Sequence, residues 1–373
     1  MRRSRFLMAP LLVLAACADN HPLQPSTQLP DESGRALVTA ASIDTVMSGL
    51  NSPRGLAWGP GGALYVAEAG TTVAPGPCAP VARGTNCYSG TGSISRLLGS
   101  HQERILSGLP SVFNPIAGDI IGPNDISFMG PGNAFVTIGW GAAPAARAAL
   151  GELGHLFGSI IKIRRNGQWS VSADVAGFEA EHNPGGGHLD SNPFGLLAVP
   201  NRQYVADAGG NSLVEVTTSG KVSLVATFPP TPVPPGPFNP PFVESEAVPT
   251  EVTRGPDGAL YVSTLSGVPF LPGAAKIYRV VPGAAPQVYA EGFTQITDFD
   301  WGPDGSLYVV QYASAPFFGG PGALIHVAPN GDRTTVTTAL FHATGVLVGP
   351  DGAVYVSDNG NLENVGQVLR IVP

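Results

Sequence analysis

Hydrophobic and polar residues alternate in short bursts along most of this chain, and the bursts recur. A Gly-Pro-x-Gly turn runs into a strand of period two, first as Gly59-Pro60-Gly61-Gly62 followed by Ala63-Leu64-Tyr65-Val66. Degenerate copies follow at Gly130 to Val136 and Val199 to Val205, and three clean ones at Gly255 to Val262, Gly302 to Val309 and Gly349 to Val356. Period-two alternation marks a strand, because successive side chains point to opposite faces. The Pro presets φ and the Gly supplies positive φ, so each burst begins at a tight turn. The aromatic of each burst falls at Tyr65, Phe135, Tyr204, Tyr261, Tyr308 and Tyr355, giving spacings of 70, 69, 57, 47 and 47 residues. A unit of 47 with insertions in the first three copies has the size of a four-stranded propeller blade.

Each repeat parses into four strands. Strand A precedes the turn, as at 54–58 and 298–301, and strand B is the burst itself. Strand C is expected at 93–98, 159–163, 213–216, 276–280, 323–327 and 367–371. Strand D is expected at 104–109, 171–178, 222–228, 287–293 and 335–341, one fewer than the C strands. The missing one stands at the start, where Asp44-Thr45-Val46-Met47-Ser48-Gly49-Leu50 matches Glu103-Arg104-Ile105-Leu106-Ser107-Gly108-Leu109 in pattern. The expectation is an all-β, six-bladed β-propeller over residues 42–373, closed by its N-terminal strand completing the C-terminal blade. Closure removes exposed edges.

The repeats resemble NHL-type propellers. The run Asp190-Ser191-Asn192-Pro193-Phe194-Gly195-Leu196 with Val205-Ala206-Asp207-Ala208-Gly209-Gly210-Asn211 is similar to the ScyD/ScyE family, named for a pigment biosynthesis cluster. The resemblance implies the propeller and hints at a late, exported step on an aromatic compound. A propeller by itself hosts many activities.

Composition agrees and adds exclusions. Gly 49 and Pro 37 with only 12% charged residues exclude a coiled coil or long bundle. A net charge of −8 and three lysines, Lys162, Lys221 and Lys276, leave no basic footprint for nucleic acid. Residues 1–16 read as a signal peptide: Arg2, Arg3 and Arg5, an apolar stretch to Ala16, then Leu14-Ala15-Ala16-Cys17, which resembles the bacterial lipobox. That resemblance implies lipidation of Cys17, a flexible tether over 17–41 and an exported protein held in the cell envelope. Ala18 after the cysteine favours the outer membrane, facing the periplasm. The lipid would be the only membrane contact, and the chain reads as a monomer. An oxidising compartment would join the remaining pair, Cys78 and Cys87.

Every long insertion falls in a B–C or D–A connection: 69–92, 110–123, 138–158, 178–192, 229–248, 265–275 and 313–322. All seven build one face, and loops on a rigid scaffold concentrate binding residues. They carry Trp140, Phe157, Phe178, Phe238, Phe242, Phe270, Tyr312, Phe317 and Phe318. Such a rim suits a small aromatic or apolar ligand, or an envelope protein; equally, the rings could pin the loops. Residues 179–190 add Glu179, His182, His188 and Asp190 in a Gly-rich loop. A histidine spacing of six is no zinc signature.

The A strands begin with the pairs Arg54-Gly55, Asn124-Asp125, Phe194-Gly195, Thr250-Glu251, Thr297-Asp298 and Thr344-Gly345. Symmetry gathers Asp125, Glu251 and Asp298 at the channel mouth. A bound cation, Arg54 or intervening water could compensate them, and oxygen ligands from Asn124, Asp125, Glu251 and Asp298 would suit calcium or magnesium. Glu68, Asp207, Gln311 and Asp358 end the B strands on the same face; Asp207 and Asp358 read as turn caps. The propeller lactonases place metal ligands at the first residue of such pairs, where only Asn124 fits. A strictosidine-synthase-like condensation would rest on Glu251. No nucleophile–base pair, phosphate loop or zinc cluster emerges, which favours a lipid-tethered ligand-binding or assembly module; a purely structural envelope protein is the remaining class.

Overall fold

The structure is a computed structural model, and it describes residues 41–130, 132–234 and 243–373. The signal peptide, Cys17 and nearly all of the expected tether lie outside the described residues, as do Phe238 and Phe242.

The described chain is all-β and forms eight small antiparallel sheets, six of which repeat one strand order. In the first sheet Pro53–Trp58 pairs with Leu64–Glu68, then Gly92–Leu98, then His101–Leu109. The second runs Pro123–Phe128, Asn133–Ile138, Ser159–Arg164, Trp169–Asp174. The third runs Pro193–Val199, Arg202–Asp207, Ser212–Thr217, Val222–Thr227. Pro249–Arg254, Leu260–Thr264, Ala275–Val280 and Gln287–Phe293 make the fourth. Ile296–Trp301, Leu307–Gln311, Gly322–Val327 and Arg333–Leu340 make the fifth. The sixth consists of Gly345–Val348, Val354–Asp358, Gly366–Val372 and, from the other end of the chain, Ser42–Leu50. There Ser42 stands opposite Val372 and Leu50 opposite Gly366.

The innermost strands pack side by side in chain order, and Gly345–Val348 of the sixth sheet lies against Pro53–Trp58 of the first. Between neighbouring sheets sit compact apolar clusters. Leu56, Leu64 and Val66 of the first sheet pack on Met47, Tyr355 and Val368 of the sixth. Phe135, Ile160 and Val175 pack on Leu196, Val205 and Val214. The side chains facing these seams are the apolar half of each alternating burst, buried because both faces of a sheet are covered.

Two expectations are corrected. Insertions 69–92 and 110–123, read as loops, build an accessory four-stranded sheet from Cys78–Val81, Gly84–Tyr88, Val112–Asn114 and Asp119–Ile121. The disulfide Cys78–Cys87 joins its first two strands, with the cysteines directly opposite each other in register. The strand expected at 171–178 stops at Asp174, and Val175–His182 is an α-helix. Asp174 ends the strand by accepting a hydrogen bond from Gly177 N–H at 2.8 Å, which caps the first turn. The Pro-rich connection pairs Thr231–Pro232 with Glu244–Ser245 in a two-stranded ladder.

Candidate functional site

At the start of the inner strands the paired positions divide into two jobs. In four of the six pairs the first residue stitches its sheet to the next. Asn124 Nδ2 donates to Pro193 O at 2.9 Å. Thr250 Oγ1 donates to Ile296 O (2.9 Å), Thr297 Oγ1 to Ala343 O (2.9 Å) and Thr344 Oγ1 to Pro53 O (2.7 Å). Each acceptor is the carbonyl just before the next pair, and the last stitch runs from the sixth sheet to the first. Short polar side chains suit this task because they reach a neighbouring backbone at little entropy cost.

The second residue is either an acid or a glycine. Leu196 N–H donates to Asp125 Oδ2 at 2.8 Å, and Ile126 N–H to Oδ1 at 2.7 Å. Asp298 Oδ2 accepts from Val346 N–H at 2.7 Å, and Glu251 Oε1 from Val252 N–H at 2.9 Å. Gly55 and Gly195 allow this leaning. A Cβ on Gly55 would fall 2.0 Å from Asp125 Oδ1, and one on Gly195 would fall 2.6 Å from Glu251 Cα. Burial pushes all three carboxyl groups up, Asp125 to about 8 and Glu251 and Asp298 well above the usual range, and mutual repulsion adds to it. Asp300, which the sequence reading passed over, repeats the pattern two residues on. It accepts from Val348 N–H at 2.8 Å and is pushed up to about 6, again by burial.

This arrangement does not fit a metal at the channel mouth. Among the described residues no three Asp, Glu, His or Cys side chains stand together so as to hold an ion. The amide of Asn124 is turned to Pro193 O, and backbone N–H groups occupy both oxygens of Asp125.

Arg54 does not reach that ring by any hydrogen bond or ion pair described. Its terminal nitrogens donate to Gly360 O at 2.6 Å and Ile120 O at 3.0 Å. Its Nε is buried without a partner. Burial lowers its pKa, while Tyr312 and Asp119 nearby act in the opposite direction.

Glu68 is fully buried and spoken for. Arg104 grips it with Nε at 3.0 Å and Nη2 at 2.7 Å, Ser95 Oγ donates at 2.5 Å, and Asn51 N–H at 2.6 Å. It is a structural ion pair, not a ligand site. The same position in other sheets does the same work: Asn192 N–H donates to Asp207 (2.6 Å), Thr294 N–H to Gln311 (2.8 Å) and Phe341 N–H to Asp358 (2.7 Å). His182 stacks on Phe178 at 4.5 Å, its Nδ1 3.1 Å from Phe178 O, and His188 is exposed. The two belong to no cluster of metal-ligating side chains.

The aromatic residues of the long loops split. Trp140 and Phe157 are fully buried and tilt against each other at 5.6 Å, pinning 138–158 to the accessory sheet. Phe270, Tyr312, Phe317, Phe318, Phe341 and His342 instead make a surface cluster. Phe270 and Phe318 lie 4.2 Å apart, Tyr312 and Phe318 5.3 Å, and Tyr312 and His342 stack at 4.3 Å with ring planes 3° from parallel. Phe341 stacks on His342 at 4.1 Å. Phe317 is 49% exposed, Phe318 37% and Phe341 45%. Three buried polar atoms at its margin have no hydrogen-bond partner: Arg54 Nε, Gln295 Oε1 and His342 Nδ1. Gln295 is tied to the cluster by donating to Ala315 O at 2.8 Å. Phe341 was read only as the end of a strand and His342 not at all, because neither lies in a long insertion; in the structure both follow the strand Arg333–Leu340. A separate groove of about 460 Å³, lined by Tyr65, Ile94, Phe128 and Arg164, opens on the opposite face, among the tight turns.

No protein-family model matches the chain, and no curated protein does. Solved structures share the fold. A glucose dehydrogenase is 14% identical, with 89% of this chain and 99% of that chain covered and a TM-score of 0.52. The soluble aldose sugar dehydrogenase of Escherichia coli is 14% identical over 90% of this chain and 100% of that chain, with a TM-score of 0.51. A putative gluconolactonase is 11% identical over 89% and 92%, with a TM-score of 0.50. The fold is that of a β-propeller.

Proposed function

We propose that this chain is a six-bladed propeller, closed through the pairing of Ser42–Leu50 with Gly366–Val372, whose long-loop face binds a planar aromatic ligand carrying polar groups. One observation carries the reading: a half-exposed stack of aromatic rings borders three buried polar atoms that lack partners. Buried polar atoms without partners are costly, and a ligand with hydroxyl or carboxyl groups would satisfy Arg54, Gln295 and His342. Exposed rings in contact with one another offer flat area at low entropy cost. The resemblance to the ScyD/ScyE family points to the same class of ligand. Export and a lipid anchor at Cys17 belong to this reading as the setting in which the face would work.

The alternative is a hydrolase acting on lactones, which carboxyl groups held protonated near the axis would favour. One experiment separates the two. Purified protein is titrated with hydroxylated indoles and phenolic acids, followed by ligand fluorescence, and in parallel assayed against sugar lactones. Saturable binding of an aromatic acid, weakened at least tenfold by Phe318→Ala and by Tyr312→Ala, is the expected result. Absence of any aromatic binding, or binding that both variants leave intact, overturns the reading. Lactone turnover lost in Asp125→Asn would put the hydrolase in its place.

A further inference from the structure

The seam between the first two sheets opens among the tight turns, on the face opposite the aromatic cluster. The groove there measures about 460 Å³ and is lined by Tyr65, Ile94 and Leu106 of the first sheet and by Ile126, Phe128 and Ile163 of the second. Two positions explain why it is open. The residue ahead of the repeat aromatic packs against the preceding sheet, and it is Leu64, Leu260, Leu307 or Val354 in four of the sheets but Ala134 in the second. Opposite it in register stands Trp58 in the first sheet and Trp301 in the fifth, but Phe128 in the second. Both indoles tie back to the preceding sheet, Trp58 Nε1 donating to Val348 O at 3.1 Å and Trp301 Nε1 to Thr253 Oγ1 at 2.9 Å. Smaller side chains at both paired positions leave volume that a close-packed interior does not collapse to fill.

Positive charge gathers at the same groove. Arg96, Arg164 and Arg165 line it, and among the described residues no Asp or Glu does, in a chain whose net charge is −8. Arg96 is engaged by Glu103 through Nη2, but its Nε is buried without a partner. Arg164 and Arg165 enter the turn between the third and fourth strands of the second sheet, and both are exposed. Gly132 gives Arg165 its place, since a Cβ there would fall 2.9 Å from Arg165 Nε and 3.3 Å from its Cγ. A guanidinium is weakly hydrated and forks onto two oxygens at once, so it suits an anionic head group at the edge of an apolar surface.

We propose that this groove binds one amphiphilic anion, an aliphatic chain ending in a carboxylate or a phosphate. The chain lies along Ile94, Leu106, Ile126 and Ile163, and the head group meets Arg164 and Arg165. The volume falls within the range of about 300–1,000 Å³ usual for small-molecule sites. Aliphatic side chains dominate the lining, so a flexible chain fits it better than the planar ring proposed for the long-loop face. The two sites share no residue, and neither reading rests on the other.

The probes are decanoate and decyl phosphate, with decanol as the uncharged control, each titrated into the purified protein by calorimetry. The expected result is one anion per chain, held at least tenfold more tightly than decanol; the tighter of the two anions names the head group. Arg164→Gln/Arg165→Gln erases that gap and leaves decanol binding as it was. Ala134→Leu, which puts back the residue that fills three other seams, weakens all three probes at least tenfold in a protein that still melts cooperatively. Should Ala134→Leu fail to fold, the arginine double variant decides alone, because both of its side chains are exposed. No saturable binding of either anion, equal affinity for decanol, or anion binding that the double variant or a folded Ala134→Leu leaves intact overturns the proposal. Anion binding lost in Phe318→Ala also overturns it, by placing the ligand on the aromatic face.

Discussion

Glu68 shows how far a single position can be read. The repeat alignment sets it beside Asp207, Gln311 and Asp358, and that alignment holds in space. All four end the second strand of a sheet and accept a backbone N–H from the connection entering the same sheet. The two aspartates are legible as caps because short acids beside Gly and Asn have few other uses. Glu68 is not, because its partner Arg104 lies two strands away and nothing local announces the pair. A buried acid gripped by one arginine depends on that arginine. Arg104→Ala should cost about 2–3 kcal/mol in urea unfolding, at or below the bottom of the ~3–5 kcal/mol usual for a broken buried pair, since Arg104 is 37% exposed and Ser95 and Asn51 still donate. The double variant Glu68→Gln/Arg104→Ala should recover part of the loss, because no charge is stranded. Equal stability of wild type and Arg104→Ala would mean that the pair contributes nothing.

At the scale of elements, what the sequence showed depended on how local the signal was. The six bursts and the alternation around them place 23 of the 24 strands of the repeated sheets, each carrying its own signal. The accessory sheet was invisible: its strands have three to five residues and come from two insertions that are each other's partners. The helix Val175–His182 was hidden by the alternation of Val171 through Ala176, although Asp174 ahead of it is a proper N-cap. The N-terminal strand is the opposite case, recognised only by likeness to residues 103–109. It buries Met47 and Leu50 almost completely, and Ser48 exchanges hydrogen bonds with Gln102 of the first sheet. A chain beginning at Asn51 would lose those contacts and leave Gly366–Val372 as a long open edge, a template for association. It should lose its cooperative thermal transition or aggregate. A melting curve like that of the full chain would show that Ser42–Leu50 is dispensable and the closure wrong.

For the whole molecule, the axis gathers charge from separate repeats. Asp125 raises the pKa of both Glu251 and Asp298 through its charge, as symmetry among the repeats leads one to expect of acids starting the inner strands. Symmetry could not show that each acid leans onto a backbone N–H, because the room for two of them comes from glycines in neighbouring repeats. The pH dependence of stability tests whether protons alone compensate the three. In the unfolded chain these carboxyls titrate near 4; in the fold Asp125 titrates at about 8 and the other two are also raised. Between those values the folded protein holds more protons than the unfolded one, so stability is greatest at the acid end of the window and declines as pH rises through about 8. Acids with lowered pKa, such as Asp257, act in the other direction, but they titrate below 4 and sit at the surface. The urea midpoint should therefore fall steadily from pH 5 to pH 8.5. Asp125→Asn should flatten that decline. It should also cost about 1–2 kcal/mol at pH 5, because one amide oxygen cannot accept from both Ile126 and Leu196. A midpoint that stays level or rises across this interval would mean that the acids are ionised in the fold and that a cation at the axis, not protons, holds them together.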